Sequence, residues 1–362
     1  MSDQRFMSLA LSIGRRGLGR TWPNPSVGCI IVSGDQIIGR GATADGGRPH
    51  AEIIALAQAG AKAKGATVYV TLEPCAHTGK TSPCTEALIR SGVKRVVTAV
   101  HDQDPRVNGK GISALKAAGV EVVTGIMADE ASYDHRGFFL NISRNRPFLT
   151  LKMAKSLDGR NATANGQSKW ITDKQSRRLV HLIRSKHDAV MVGGGTARQD
   201  DPSLNVRNLG IEHKTVRIVV SSNLNLPERS ILAETARQTP LWLCHSQDAG
   251  MSRIVKWQNM GAKLILCKGK NGYLDLQDAM TRLASLGLTR VFCEGGGTLA
   301  ASLIKSDLVD ELIAFEAGLL IGADGQACLG DLGLDELSNG QRWVLKRMER
   351  IGSDIFHKWN LR

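Results

Sequence analysis

The sequence predicts two α/β domains in tandem: a three-layer domain over residues 1–143, then a mixed-sheet domain over 148–362. Three observations carry this. A chain of 362 residues is too long for one ordinary core and suits two. Short strand-like runs alternate with helical stretches along most of it. The polar, proline-ended stretch "SRNRP" (Ser143–Pro147) breaks the alternation, so residues 144–147 are the expected linker.

The first domain opens on an amphipathic helix over 3–18. "VGCIIVSGDQIIGRGA" reads as two strands joined at Gly34-Asp35, a turn signal. A helix follows from about Ala51, then the strand "ATVYVTL". Pro83 marks the next helix start, because proline suits the first helical position. "VKRVVTAV" is a short buried strand, "KGISALKAAG" a helix ended by Gly119, "VEVVTG" a strand and "ADEASYDHRGFFLN" a helix.

The second domain brings the strand-like runs "FLTLKMA", "DAVMVGG", "VRIVVSS", "PLWLCHS", "AKLILCK" and "RVFCEGG", with helical stretches between several of them. "WVLKRMERIGSDIFHKWNL" alternates and turns near Gly352, an antiparallel hairpin, which makes the sheet mixed. No internal repeat is evident.

Composition is that of a globular protein, and no apolar run approaches the roughly 18 residues that span a bilayer. Asp3 and Arg5 interrupt the place where a signal peptide builds its apolar segment, so a cytoplasmic protein is expected. Seven scattered cysteines, an odd number and several inside strand-like runs, argue against a disulfide framework. The net charge of +13 fits solubility, nucleic acid or small phosphorylated ligands, and no dense Lys/Arg block chooses among them.

The chemistry concentrates in "RPHAEIIAL" and "LEPCAHTGKTSPC". His50, Cys75 and Cys84 supply one imidazole and two sulfurs, the three protein ligands of a catalytic zinc site. Each cysteine follows a proline, and Cys84 lies where a helix starts, which favours thiolate. Glu52, two residues past His50, is placed to hold a water and shuttle its proton. His-x-Glu followed by two cysteines is the pattern of zinc deaminases. Their cysteines are usually two residues apart, whereas eight separate Cys75 from Cys84. A structural zinc would want a fourth ligand, and only His77 is nearby.

Beyond the metal set, "TWPNPSVGCIIV", "GGRPHAEIIAL", "VTLEPCAHTGKTSPC" and "DQDPRVNGKGISALKAAGVEV" resemble the deaminase half of the RibD family, the bifunctional deaminase–reductases of riboflavin biosynthesis. The resemblance implies a cytidine-deaminase-like fold with a long spacer between the cysteines. It also implies Zn2+ and deamination of a 2,5-diamino-6-(5-phosphoribosylamino)pyrimidinone. It places Asn24, His77, Lys80, Asp102 and Asp104 at the substrate. Ile54 departs from the asparagine expected in the His-Ala-Glu helix.

In the second half, "MVGGGTARQDDPSLNVR" and "VFCEGGGTLAASLIKSDLVDEL" put three glycines after an apolar strand. Such turns let backbone approach a phosphate, or simply make a tight strand–helix turn. With "LTLKMAKSLDGRNATANGQSKWIT", their order resembles the family's reductase half, which implies a dihydrofolate-reductase-like fold, NADPH, and reduction of the ribosyl side chain to ribityl. The same resemblance places Ala154, Trp170, Thr196, Asp200, Ser222 and Gly296, Gly297, Thr298, Leu299, Ala300, Ala301 and Ser302 at the cofactor. Ser168, Arg184, Leu204, Arg207 and Glu294 fall at the substrate, where the two arginines suit a phosphate. Lys152 and Asp158 lie in the same segments as support. Ser221 stands where an acid is expected, and "FEAGLLIGADG" lacks a proline expected before "LLIG".

The expected protein is a bifunctional enzyme acting on a phosphorylated ribosylaminopyrimidine, without nucleic acid or membrane, and a homodimer by analogy with reductases of this fold. An RNA-modifying zinc deaminase with a basic RNA-binding second half is the alternative, and a non-enzymatic zinc module a third. The second half has few aromatics for stacking on bases, which weighs against RNA.

Overall fold

The computed structural model describes residues 3–79, 82–211, 213–270 and 272–361. The chain forms two compact units, Met1–Asn145 and Arg146–Arg362.

The first unit runs α1 (Asp3–Gly14), β1 (Gly28–Ser33), β2 (Gln36–Ala42), α2 (Ala51–Ala59), β3 (Thr67–Val70) and α3 (Cys84–Arg90). It continues with β4 (Arg95–Thr98), α4 (Lys110–Ala117), β5 (Glu121–Val123) and α5 (Ala128–Arg144). The five strands form one sheet in the order β2-β1-β3-β4-β5, with β1 antiparallel to both neighbours and β3, β4 and β5 parallel. Successive side chains of a strand point to opposite faces. On β1, Cys29 and Ile31 join a core with Ala51 and Ala55 of α2 and Leu88 of α3. Ile30 and Val32 join a second core with Phe6, Met7, Ala10 and Leu11 of α1. Both faces are therefore covered, which gives the expected three layers. Helix α5 runs on through Arg144, a residue the sequence assigned to the linker.

The second unit runs β6 (Phe148–Ser156), β7 (Arg160–Ala162), α6 (Lys174–Arg184), β8 (Ala189–Gly193), α7 (Gly194–Asp200) and β9 (Val216–Val220). Next come α8 (Ile231–Glu234), β10 (Leu241–His245), α9 (Met251–Met260), β11 (Lys263–Leu266), β12 (Gly269–Lys270) and β13 (Tyr273–Leu274). The unit ends with α10 (Leu276–Ser285), β14 (Arg290–Cys293), α11 (Gly297–Lys305), β15 (Glu311–Ala317), β16 (Gln326–Ala327), β17 (Trp343–Ile351) and β18 (Asp354–Leu361). The main sheet has nine strands in the order β11-β10-β9-β8-β14-β6-β15-β18-β17. Its pairs are parallel from β11 to β15 and antiparallel through β18 and β17, the expected mixed sheet.

The chain leaves β8 towards one edge of this sheet and leaves β14, its neighbour, towards the other. Such a reversal opens a crevice at the carboxyl ends of the strands. Both glycine turns, after β8 and after β14, lie there.

The sequence reading missed β15. It pairs with β6 on one side and β18 on the other and is buried almost throughout. A strand covered on both faces reads as a near-continuous apolar run, which merges with the helix before it.

Among the described residues, no helix is long and apolar enough to cross a membrane.

Candidate active sites

His50 caps the start of α2, Glu52 lies in its first turn, and Cys84 is the first residue of α3. The loop after β3 brings Cys75 alongside. His50 Nδ1 stands 3.3 Å from Cys84 Sγ and 3.7 Å from Cys75 Sγ, and the three ligand atoms all lie within 4.8 Å of one another. The eight residues between the cysteines thus do not keep the sulfurs apart.

The donor set also fits a divalent metal chemically. A hydrogen bond from the Cys84 thiol holds Cys75 down at about 4, against burial and with help from His50. The same hydrogen bond, with burial and Glu52, drives Cys84 far up. Without a cation, one sulfur ionises at the expense of the other. Zinc takes both as thiolates and removes the conflict.

Glu52 is 4% exposed. Burial, with the Cys75 charge beside it, raises its carboxyl above the ordinary value, as suits a group that must carry a proton near neutrality. It lines a cavity of about 500 Å3 together with His50 and Cys75, and Cys84 lies buried behind them.

Asn24, His77, Asp102 and Asp104 line this cavity, while Lys80 lies outside the described residues. Asn24 Nδ2 donates to Gly47 O at 2.8 Å. His77 Nδ1 is buried with no hydrogen-bond partner among the described residues. Burial pushes Asp102 up to about 6. Asp104 is gripped by Arg106, whose Nε donates to it at 2.9 Å, and is held below its ordinary value. Ile54 stays on α2, clear of the ligand set, so that departure leaves the metal geometry intact.

Three residues here escaped the sequence reading. Arg48 and Arg106 line the cavity and add the positive charge a phosphate needs. Glu73, fully enclosed, accepts backbone N–H bonds from Asp102 (3.3 Å), Gly109 (3.0 Å), Gly111 (2.9 Å) and Ile112 (3.2 Å). One carboxylate thereby caps α4 and fixes the loop that carries Asp102 and Asp104. The only signal in the sequence was an acid in "LEPC", with nothing to say where it pointed.

In the second unit, two cavities of about 440 and 780 Å3 share Asn161, Ser168, Thr196, Asp200 and Gly296 as wall. The smaller is lined by Lys152, Ala154, Ser168, Trp170, Arg184, Leu204, Arg207 and Glu294. Arg184 Nε donates to Glu294 Oε1 at 2.5 Å and Nη1 to Asn205 O at 2.8 Å. Lys152 Nζ lies 3.7 Å from Glu294 Oε2. Burial alone would raise Glu294, but Arg184 and Lys152 bring it below its ordinary value. Burial lowers Lys152 and Arg207, each helped by the Arg184 charge. His181, also on this wall and unforeseen, is lowered to about 4 by burial and by Arg184 and Arg207. Trp170 is 65% exposed at the rim, so it is no core residue.

The larger cavity takes Gly193–Gly195 from one glycine turn and Gly296, Gly297, Thr298, Leu299 and Ser302 from the other, with Ser222 opposite. Gly296 N donates to Thr196 Oγ1 at 3.1 Å and ties the turns together. Ala300 and Ala301 line neither cavity. They lie buried in α11, and Ala300 N is spent on Gly296 O within the helix. Ser221, in place of the expected acid, lines the larger cavity, and the loop lacking a proline before "LLIG" is anchored by Asp158, which accepts from Gly322 N at 2.7 Å.

Comparison with known proteins agrees with this division. Residues 1–100 match the cytidine and deoxycytidylate deaminase zinc-binding region, and residues 147–357 match the RibD C-terminal domain. The chain is 39% identical to the riboflavin biosynthesis protein RibD of Aquifex aeolicus, over 98% of this chain and 97% of that one. It is 38% identical to that of Escherichia coli, over 98% of each. Acinetobacter baumannii RibD superposes with a TM-score of 0.89 at 35% identity, covering 99% of both chains. A diaminohydroxyphosphoribosylaminopyrimidine deaminase/5-amino-6-(5-phosphoribosylamino)uracil reductase from Thermotoga maritima superposes at 0.87 and 30% identity, again over 99% of both. These full-length matches leave the RNA-modifying alternative without support.

Proposed function

The chain belongs to the RibD family, the bifunctional zinc deaminases and NADPH-dependent reductases of riboflavin biosynthesis, and from that premise we propose how its two sites divide the work. The first cavity removes the exocyclic amine of 2,5-diamino-6-(5-phosphoribosylamino)pyrimidin-4(3H)-one by hydrolysis. The second reduces the ribosyl side chain of the product to ribityl, giving 5-amino-6-(5-phosphoribitylamino)uracil. We place the division of activities at the junction of the two units, after Asn145.

His50, Cys75 and Cys84 hold the zinc. Zinc in such a site supplies a Lewis acid that lowers the pKa of water towards about 7. Glu52 takes the water proton on its carboxylate, passes it to the ring nitrogen and serves the leaving amine in turn. Asn24, His77, Asp102 and Asp104 position the pyrimidine and ribose, and Lys80 of the spacer reaches for the phosphate.

In the second unit NADPH supplies a hydride. Ala154, Trp170, Thr196, Asp200, Ser222 and the turn from Gly296 to Ser302 hold it. Arg184, Arg207, Ser168, Leu204 and Glu294 hold the phosphorylated ribosyl chain, the arginines by paired N–H donors to phosphate.

The observation that carries the reading is the His50–Cys75–Cys84 cluster, two of whose members share a cavity with buried Glu52. Incubation with the diaminopyrimidinone ribotide tests it. Without NADPH the deaminated ribosyl compound should accumulate with ammonia, and with NADPH the ribityl compound. Substrate recovered unchanged by mass spectrometry in both arms would end the reading. We add a homodimer, by fold analogy, and a cytoplasmic site of action without nucleic acid. A monomer by light scattering, or tight salt-steep RNA binding, would remove those parts.

A further inference from the structure

The smaller and the larger cavity of the second unit meet at Asn161, Ser168, Thr196, Asp200 and Gly296. Hydride must be delivered beside Glu294 and Arg184, so the nicotinamide belongs at that shared wall. The adenosine end of the cofactor then extends among residues that line the larger cavity but not the smaller, which include Arg198, Ser221 and Ser222. In α/β dinucleotide sites, an acid near the adenosine ribose takes its 2′-hydroxyl, whereas an arginine accommodates a 2′-phosphate.

Here β9 ends at Val220 and the next two residues are serines. Arg198, one turn into α7, reaches back over the first glycine turn. A β-carbon on Gly194 would stand 3.2 Å from Arg198 Nη1 and 3.1 Å from Ser221 Oγ. The guanidinium and the hydroxyl therefore flank the same space, above a residue with no side chain to fill it. Arg198 Nη1 donates to Asn225 O at 2.9 Å, which fixes the direction of the fork. Arg253 Nη1 donates to Asn223 O at 3.0 Å and adds a second positive charge to the same loop.

We propose that Arg198, with the hydroxyls of Ser221 and Ser222, grips the 2′-phosphate of NADPH and sets the preference for NADPH over NADH. This rests on the assignment of NADPH to the cleft. A planar guanidinium offers parallel N–H donors that match phosphate oxygens, and hydroxyls turn to donate to the rest.

The test is calorimetric titration of the full-length protein with NADPH, NADH, 2′,5′-ADP and 5′-AMP. The unmodified protein should bind NADPH and 2′,5′-ADP about tenfold or more tighter than their partners lacking the phosphate. Arg198→Gln should close that gap while the NADH affinity moves by less than about twofold. Arg198→Lys should keep part of it. Ser221→Asp should weaken the phosphorylated ligands alone, through like-charge repulsion. Arg198 is exposed, so thermal unfolding of its variants should match the parent. An unchanged gap in Arg198→Gln, or equal loss of both dinucleotides, overturns the proposal and leaves NADPH in the cleft. Failure of the unmodified protein to bind either dinucleotide overturns the cofactor assignment as well.

Discussion

Glu73 lies 3.4 Å from His101 Nδ1, and four backbone N–H groups from Asp102 to Ile112 converge on its two oxygens. Glu73→Gln turns one acceptor into an NH2 group that faces donors. An unsatisfied buried polar group costs about 1–3 kcal/mol. Urea unfolding should register that loss, and KM for deamination should rise about tenfold as the Asp102 loop loosens, while NADPH-dependent reduction is unchanged. Glu52→Gln should differ in kind: zinc content and reduction survive, and ammonia release falls by about two to four orders of magnitude. Loss of both activities with zinc retained would count against separate sites. His181 gives a pH signature. Its imidazole binds a proton near 6.5 when unfolded but only near 4 when folded. Between those values the unfolded chain holds more protons, so stability present above about 6.5 is lost as pH falls towards 4. His181→Gln should flatten the midpoint of urea unfolding across that window, and an unchanged slope would show that other groups govern it. Metal ligands and their acid were legible because spacing within one motif encodes them. Glu73 was not, because its partners are remote in sequence, and Arg48, Arg106 and His181 were not, because only folding brings them to the cavity walls.

The helix that carries His50 and Glu52 is seated by absent side chains. A β-carbon on Gly41 of β2 would lie 2.0 Å from Ala51 O, and one on Gly39 would lie 2.3 Å from Ala55 O. The alanines of α2 and these glycines let backbone meet backbone. Gly41→Ala must push α2 outward and take His50 and Glu52 with it. Overpacking of this kind costs about 1–3 kcal/mol. Weaker zinc retention under a competing chelator should accompany the stability loss, and normal retention would mean that the helix yields elsewhere. Most elements were legible because turn residues and periodicity bounded them, as Gly34-Asp35 does for β1 and β2. Boundaries set by packing were not. Helix α5 extends to Arg144, two residues into the polar stretch, and β15 merges with the run that starts at the second glycine turn.

Across the whole chain, the His50–Cys75–Cys84 cluster and the cleft proposed for the dinucleotide each lie within one unit with its own core. Stripping zinc with a chelator should therefore abolish ammonia release and spare reduction of the ribosylaminouracil, with both followed in one sample. A parallel loss of reduction would show that the second site depends on the first. The charge of +13 is put to local use, with Arg48 and Arg106 in one cavity and Arg184 and Arg207 in the other. Composition alone left that charge unassigned between RNA and small phosphates, because a count carries no positions.

The place of β6 inside the larger sheet has a consequence in time. Strand β6 opens the second unit, but its neighbours β14 and β15 come near the end of the chain. The first sheet draws all its strands from the first unit. On the ribosome, where domains generally fold as they emerge, the deaminase half finishes while β6 still lacks both partners. A chain ending before β14 should already hold zinc and release ammonia, yet show no NADPH binding. During synthesis the two activities of the protein come into being one after the other, in the order in which the pathway uses them.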